Sequence, residues 1–328
     1  MKANRSSYLL VTACLLALLI ASLIVAGCTS NGSTNSATVL PAATAAPTAA
    51  PATAAATAAA TAAATQSSNT TASSGQTLTL TGSTTVLPIA QAVADAYMQN
   101  NPNVNIQVSG GGSGVGVQAI INKKVDIGMS SAAVSAAQQA QDPQMNIITI
   151  AHDGIAIIVN PANTIQDISL DQVKAIYNGS VTSWTSVPGA GVPNSNNQIV
   201  LVGRDSSSGT RTYFDQVVML NTNDSLSMHE DNSNGAVLQE VAQTPGAIGY
   251  ISIGYLTSDV KAVPILTTNG HVIAPSVATV KDKTYPIHRD LYMITNGQPT
   301  GLAKDYLDFL LSTQGQQIVV AQGYVALP

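Results

Sequence analysis

The segment Thr77-Leu78-Thr79-Leu80-Thr81-Gly82-Ser83-Thr84-Thr85-Val86-Leu87-Pro88-Ile89-Ala90 changes its hydrophobic period halfway along. Leu78 and Leu80 alternate with threonines, the period of a strand. Val86, Ala90, Val93 and Tyr97 then recur at helical spacing. Gly82-Ser83-Thr84 marks the break. The same order follows at once. Val104 to Val108 alternates, Ser109-Gly110-Gly111-Gly112-Ser113-Gly114 is a glycine loop, Val117, Ile120 and Ile121 continue as a helix, and Val125-Asp126-Ile127-Gly128 is a short strand. Strands alternating with helices predict an α/β fold built on a largely parallel sheet.

A second α/β unit is predicted farther along. Ile155 to Val159 is a continuous apolar run suited to a buried strand, and Ser169 is placed to cap a helix through Ile176. Ile199 to Val202 is a strand that ends in Arg204-Asp205-Ser206-Ser207-Ser208-Gly209-Thr210, with a helix after it. Ala247 to Ile253 returns as a strand, and two helices, Gly301 to Leu311 and Thr313 to Val320, close the chain.

The N-terminal quarter has a different character. Lys2 and Arg5 precede an apolar run from Tyr8 to Ala26, and Ala26-Gly27 precede Cys28. A basic start, an apolar core and small residues before a cleavage point describe a secretory signal over residues 1–28. Leu23-Ile24-Val25-Ala26-Gly27-Cys28 resembles a lipobox, in which Cys28 carries the lipid that holds the chain on the outer face of the cytoplasmic membrane. An uncleaved apolar anchor is the other reading, and both place the remainder outside. From Thr29 to Gln76 the chain is rich in Ala, Thr, Ser and Pro, a composition that cannot bury enough apolar surface to offset ordering; a flexible stalk is expected. Cys14 and Cys28 are the only cysteines, so the segment 77–328 has no disulfide and no cysteine metal site. Net charge is −5 and charged residues are 9% of the chain, with no basic stripe, so nucleic acid is not expected as a partner.

Three loops share one design: Gly82-Ser83-Thr84, Gly112-Ser113-Gly114 and Ser208-Gly209-Thr210 each join a strand to a helix start. Glycine lets backbone come close to a ligand. The first N–H groups of a helix lack intrahelical acceptors and favour an anion, and the hydroxyls add donors. One such loop is ordinary capping. Three of them, with Arg204 beside the third, predict a site for a small oxyanion at the C-terminal ends of the strands. A desolvated oxyanion must recover many hydrogen bonds, and an arginine fork matches two of its oxygens. Arg204 is assigned that part; a salt bridge to Asp205 is the alternative, and Asp205 could also hold the fork in place. Ser130 and Ser131 could add hydroxyls.

Enzyme signatures are missing: there is neither a P-loop nor a G-x-S-x-G elbow, and His152, His229, His271 and His288 lack metal-ligand spacing. His152-Asp153 reads as a structural pair. No cofactor and no catalysis are expected.

In order along the chain, Thr81 to Pro88, Gly111 to Gly116, Val125 to Ser131, His152 to Ala156, Ile176 to Gly179, Arg204 to Phe214 and Pro245 to Tyr250 resemble the PstS-type phosphate-binding proteins of ABC importers. The likeness covers about Leu78 to the C-terminus. It implies a two-lobed, type II periplasmic-binding-protein fold. Each lobe is then an open sheet flanked by helices: lobe 1 about 77–153 plus 251–328, and lobe 2 about 154–250. Two crossings are implied, near Asp153–Ile158 and Gly246–Ile251. It further implies a monomer that captures inorganic phosphate and hands it to permease subunits. Carried over, Ser83, Thr84, Ser113 and Ser131 come from the first lobe, and Arg204, Ser208, Gly209 and Thr210 from the second. Some members carry an Asp where Ser131 stands, as acceptor of the phosphate proton. Others have Ser followed by Arg, where this chain has Ala132; some have Asp where Ser206 stands. The acceptor is therefore unassigned, with Asp205 and Asp153 candidates by position.

Three other readings compete. One is a binding module for sulfate, molybdate or tungstate. Another is an exported hydrolase using Ser208 or Ser113 with His152. The last is a surface adhesion or sensor protein on the same fold.

Overall fold

A computed structural model describes residues 75–193 and 195–328. The expected signal with Cys28, and all but the last two residues of the expected stalk, lie outside the described residues. Among the described residues no helix is long and apolar enough to cross a membrane.

The chain starts as β1 (Gln76–Gly82), α1 (Leu87–Asn100), β2 (Val104–Gly111), α2 (Ser113–Ile121), β3 (Ile127–Ser130) and α3 (Ala136–Gln141). Leu78, Leu80 and Gly82 form the buried face of β1, as the alternation requires. β1 pairs in parallel with both β2 and β3. Next come β4 (Met145–Val159), β5 (Ile168–Ser169), α4 (Leu170–Tyr177), β6 (Val200–Arg204), α5 (Gly209–Val217), β7 (His229–Asp231), α6 (Asn234–Gln243) and β8 (Ala247–Ser252). The helix expected at Ser169 has that residue as its cap, in a reciprocal pair with Gln172. Last are β9 (Lys261–Val263), β10 (Ile265–Leu266), β11 (Val272–Ile273), α7 (Val277–Lys281), β12 (His288–Asn296), α8 (Gly301–Leu311) and α9 (Thr313–Ala321).

The main sheet has strand order β2-β1-β3-β12-β4-β8-β6-β7, with β9 also paired to β4. β4 does two jobs. Residues 145–154 pair with β12, and Ile155–Val159 pair with β8 on one side; Ile157–Val159 also pair with β9 on the other. Each half packs its own core. Leu78, Leu80, Ile89, Val93, Ile127, Leu291 and Tyr306 belong to one, and Ile157, Ile176, Trp184, Val202, Phe214, Ile248 and Val263 to the other. These are the two lobes, and the fold class is the two-lobed α/β one expected.

The second crossing falls later in the chain than expected. A return to the first lobe was placed near residue 251, yet Ile253, Val260, Val263, Ile265, Val280, Tyr285 and Ile287 all pack in the second core. The chain rejoins the first core only at Leu291 in β12. Burial explains this: β9 covers the free side of Ile157–Val159, which would otherwise be an open edge.

Candidate functional site

The loops after β1, β2, β3 and β6 converge between the lobes, and nearly every polar side chain there is buried. Ser83, Thr84, Ser113, Ser131, Arg204, Ser208 and Thr210 are each between 1% and 7% exposed. Gly209 starts α5 and is buried with them. These are the residues the sequence nominated, and the fold brings them to one place.

Close approach of the lobes explains the glycines. A Cβ on Gly209 would stand 2.2 Å from Ser113 Oγ and 2.8 Å from Ser131 Oγ. One on Gly112, whose φ is +98°, would meet Ser207 Oγ at 2.2 Å. Gly114 N–H donates to Ser207 O (2.9 Å), and Ser207 Oγ lies 2.9 Å from Gly111 O, its proton shared with Asp205, so the two loops are stitched together.

α5 supplies the helix start. Ser208 is its cap and accepts from Arg211 N–H at 3.2 Å, which leaves the Gly209 and Thr210 amides, with no intrahelical acceptor, facing the junction. Across from it, Ser83 Oγ accepts from Thr85 N–H and Val86 N–H at 3.2 and 3.4 Å. Ser113 Oγ accepts from Ser131 N–H (3.0 Å) and lies 3.3 Å from Ser131 Oγ. Ser130 turns away to Ala132 O.

Arg204 ends β6 at 1% exposure. Beneath it Tyr177, Phe214 and Tyr250 pack as an aromatic cluster, Phe214 and Tyr250 stacked 4.0 Å apart, and Arg204 N–H donates to Tyr250 Oη at 3.3 Å. Its guanidinium donates from Nε to Asp231 O (3.1 Å), and from Nη2 to Asn232 O (3.2 Å) and to Thr84 Oγ1 (3.3 Å) in the other lobe. Burial lowers this guanidinium from its usual value, with Asp205 and Tyr250 opposing and the charge of Arg289 adding to the lowering. An arginine stays protonated even so, and an incoming anion relieves that strain.

Both nominated carboxylates already accept hydrogen bonds within the protein. Asp205 does not orient the Arg204 fork; its Oδ1 accepts from Ser207 N–H (2.9 Å) and Ser207 Oγ (2.7 Å), shaping the loop. The carbonyls of Asp231 and Asn232 hold the fork instead. Asp153, fully buried, accepts from Ser252 Oγ at 2.6 Å and from Arg289 Nε and Nη2 at 3.0 and 2.7 Å. Burial raises its carboxyl, against the pull of Arg289 and the Ser252 hydroxyl. With both oxygens engaged, Asp153 is no acceptor for a ligand proton.

Two residues were missed. Arg289 of β12, 4% exposed, reaches Thr85 Oγ1 (3.2 Å) and Thr210 Oγ1 (3.0 Å) as well as Asp153. Its signal was available: Ile287, Arg289, Leu291 and Met293 alternate, which puts the arginine on the buried face of a strand, where a charge needs a partner. Asn234, fully buried at the start of α6, donates to Thr84 and Thr85. Nothing in its local sequence separates it from a capping residue.

His152 Nδ1 lies 2.7 Å from Asp290 Oδ1, and none of its hydrogen bonds goes to a serine. The contact of His152 with Ser208 or Ser113 that the hydrolase reading calls for is not among the histidine's hydrogen bonds. A cavity of about 760 Å³ is lined by His152, Tyr213, Lys281, His288, Arg289 and Asp290 among others. None of the converging loops lines it.

A profile described as a PBP superfamily domain matches residues 55–314. The phosphate-binding protein PstS of Bacillus subtilis is 35% identical over 266 residues, 79% of this chain and 85% of the relative. That of Pseudomonas aeruginosa (strain PAO1) is 29% identical over 269 residues, 76% of this chain and 83% of the relative. Among solved structures, a protein assigned as a phosphate ABC transporter substrate-binding protein from Clostridium perfringens, solved with bound phosphate, superposes with a TM-score of 0.70. It is 28% identical, over 77% of this chain and 100% of that one. The chain belongs to the PBP superfamily and, within it, to the family of PstS phosphate-binding proteins.

Proposed function

We propose that this chain is an extracytoplasmic receptor that captures inorganic phosphate between its lobes and delivers it to the permease subunits of an ABC importer. The observation that carries this reading is the buried convergence of hydroxyls, helix-start amides and Arg204, drawn from both lobes, with Asp153 held by Ser252 and Arg289 and Asp205 turned to Ser207. A tetrahedral oxyanion accepts at each oxygen, and this array is made of donors. Ser83, Thr84, Ser113 and Ser131 act from the first lobe and Arg204, Ser208, Gly209 and Thr210 from the second. Because neither lobe satisfies the anion alone, binding favours the closed state by the difference in contacts.

The same reading makes the protein a monomeric carrier with no catalytic step. Cys28 is its lipid attachment point on the outer face of the membrane, a placement supported by the lipobox-like Ala26-Gly27-Cys28 and by the absence of any other use for a thiol. The test of the whole is uptake. Cells lacking the chain should lose phosphate accumulation at low external phosphate, and the intact gene should restore it. Restoration by Arg204→Ala to the same level would contradict the reading.

A further inference from the structure

The hydrogen-bond partners of the site's threonines fix which way their protons point. Three donor groups set the pattern. Arginine N–H groups can only donate, and so can the amide NH2 of Asn234. The orientation of that amide is itself determined, because Asn234 Oδ1 accepts from Ser252 N–H at 3.1 Å, and a backbone N–H has no other role. Asn234 Nδ2 therefore faces the other lobe, with one hydrogen to Thr84 Oγ1 (3.3 Å) and the other to Thr85 Oγ1 (3.0 Å).

A hydroxyl oxygen has two lone pairs. On Thr84 they are taken by Arg204 Nη2 and Asn234 Nδ2. Its own O–H must then donate outward. On Thr85 they are taken by Asn234 Nδ2 and by an Arg289 Nη2 hydrogen shared between Thr85 and Thr210, since the other Nη2 hydrogen goes to Asp153. With Asn234 and Arg289 both donating to it, Thr85 is set to donate in turn to Thr210 Oγ1, 3.1 Å away. Thr210 then accepts from Thr85 and Arg289, and its proton too is left for a ligand. The buried network converts ambivalent hydroxyls into donors before any anion arrives.

We propose that Asn234 is a positioning residue for anion capture: it touches no ligand, and it holds Thr84 directly, and Thr210 through Thr85, as obligate donors. This inference rests on the reading that the anion is phosphate. Organising the donors in advance spares the anion the cost of reorienting them.

The test is Asn234→Asp in the full chain, titrated calorimetrically with inorganic phosphate. The change is nearly isosteric and keeps the acceptor for Ser252 N–H. An ionised carboxylate, however, draws the Thr84 and Thr85 protons towards itself and turns their lone pairs on the anion. Affinity should fall about a hundredfold or more at pH 8. It should recover relative to wild type as the pH is lowered and the buried carboxyl takes up a proton, because the protonated form donates again. Asn234→Leu, which has no hydrogen bond to give, should lose about tenfold at every pH. In a Thr84→Val background, substitution of Asn234 by Asp should cost much less than in wild type. Equal affinity in Asn234→Asp and wild type would overturn the proposal. So would a loss that ignores pH, or one that is undiminished in Thr84→Val; either would mark a merely structural residue. Wild type that does not bind phosphate would instead refute the functional reading itself.

Discussion

Arg204→Ala is the substitution whose consequences the structure defines most fully. The wild-type guanidinium is 1% exposed and spends three donor contacts on Asp231 O, Asn232 O and Thr84 Oγ1. Truncation leaves those acceptors short, which should lower the stability of the unliganded protein by about 1–3 kcal/mol. The larger effect is on the ligand. Removing the charged partner from a buried contact costs about 2–5 kcal/mol, or about 30- to 4,000-fold in Kd at about 1.4 kcal/mol per decade. Thermal unfolding with and without phosphate separates the two effects, because each protein is compared with itself. At phosphate equal to about 100 times the wild-type Kd, ligand linkage stabilises by about 2.7 kcal/mol. If Kd rises about a hundredfold, the same phosphate gives only RT ln 2, about 0.4 kcal/mol. For a folded part of this size those values correspond to rises in Tm of about 5–11 °C and about 1–2 °C. Arg204→Lys should lie between, since a point charge cannot reproduce the fork. A phosphate-induced rise in Arg204→Ala equal to that of wild type would refute the placement of the site.

Three further outcomes follow from the same contacts. Gly209→Ala puts a methyl group 2.2 Å from Ser113 Oγ, so it should hinder closure and weaken phosphate by at least about tenfold while unliganded Tm changes little; small-angle scattering should show no compaction on adding phosphate, and normal compaction would count against the close approach. The buried pair of Arg289 and Asp153 should behave as a unit. Arg289→Met alone strands a buried carboxylate and should cost about 3–5 kcal/mol in urea unfolding, whereas adding Asp153→Asn should return a good part of that; additive losses would exclude the coupling. Asp215 is raised to about 6 by burial and by neighbouring Asp224, against Arg211. A folded-state value above the unfolded one means the native protein binds that proton more tightly, so stability should decline as pH rises from about 4 to about 6. Asp215→Asn should flatten that decline, and an unchanged pH profile would contradict it.

The parts of the fold that were legible in the sequence are those with a long enough period. β1 and α1 each show several repeats, and the change of period at Gly82 locates the loop. β9, β10 and β11, of two or three residues each, are too short to carry a period, and so the segment 253–287 was placed in the wrong lobe. The site divides in the same way. Ser83, Ser113, Arg204 and Ser208 sit in local strand–loop–helix patterns and were found from those patterns. Arg289 meets Asp153 across 136 positions, and Asn234 meets Thr85 across 149. Only the sheet order, with β12 beside β4, brings the first pair together. Asp205 was favoured because it adjoins Arg204 in sequence, but adjacent residues on a strand end point apart, and the backbone carbonyls of Asp231 and Asn232 reach the fork first.

Calorimetric titration of the purified full chain, first with inorganic phosphate and then with sulfate, tests the central claim most directly. One phosphate per chain is expected, with sulfate neither matching its affinity nor displacing it at equal concentration, and with the phosphate heat largely lost in Arg204→Ala. No phosphate heat in wild type, or full binding in Arg204→Ala, would contradict the capture of phosphate by these residues.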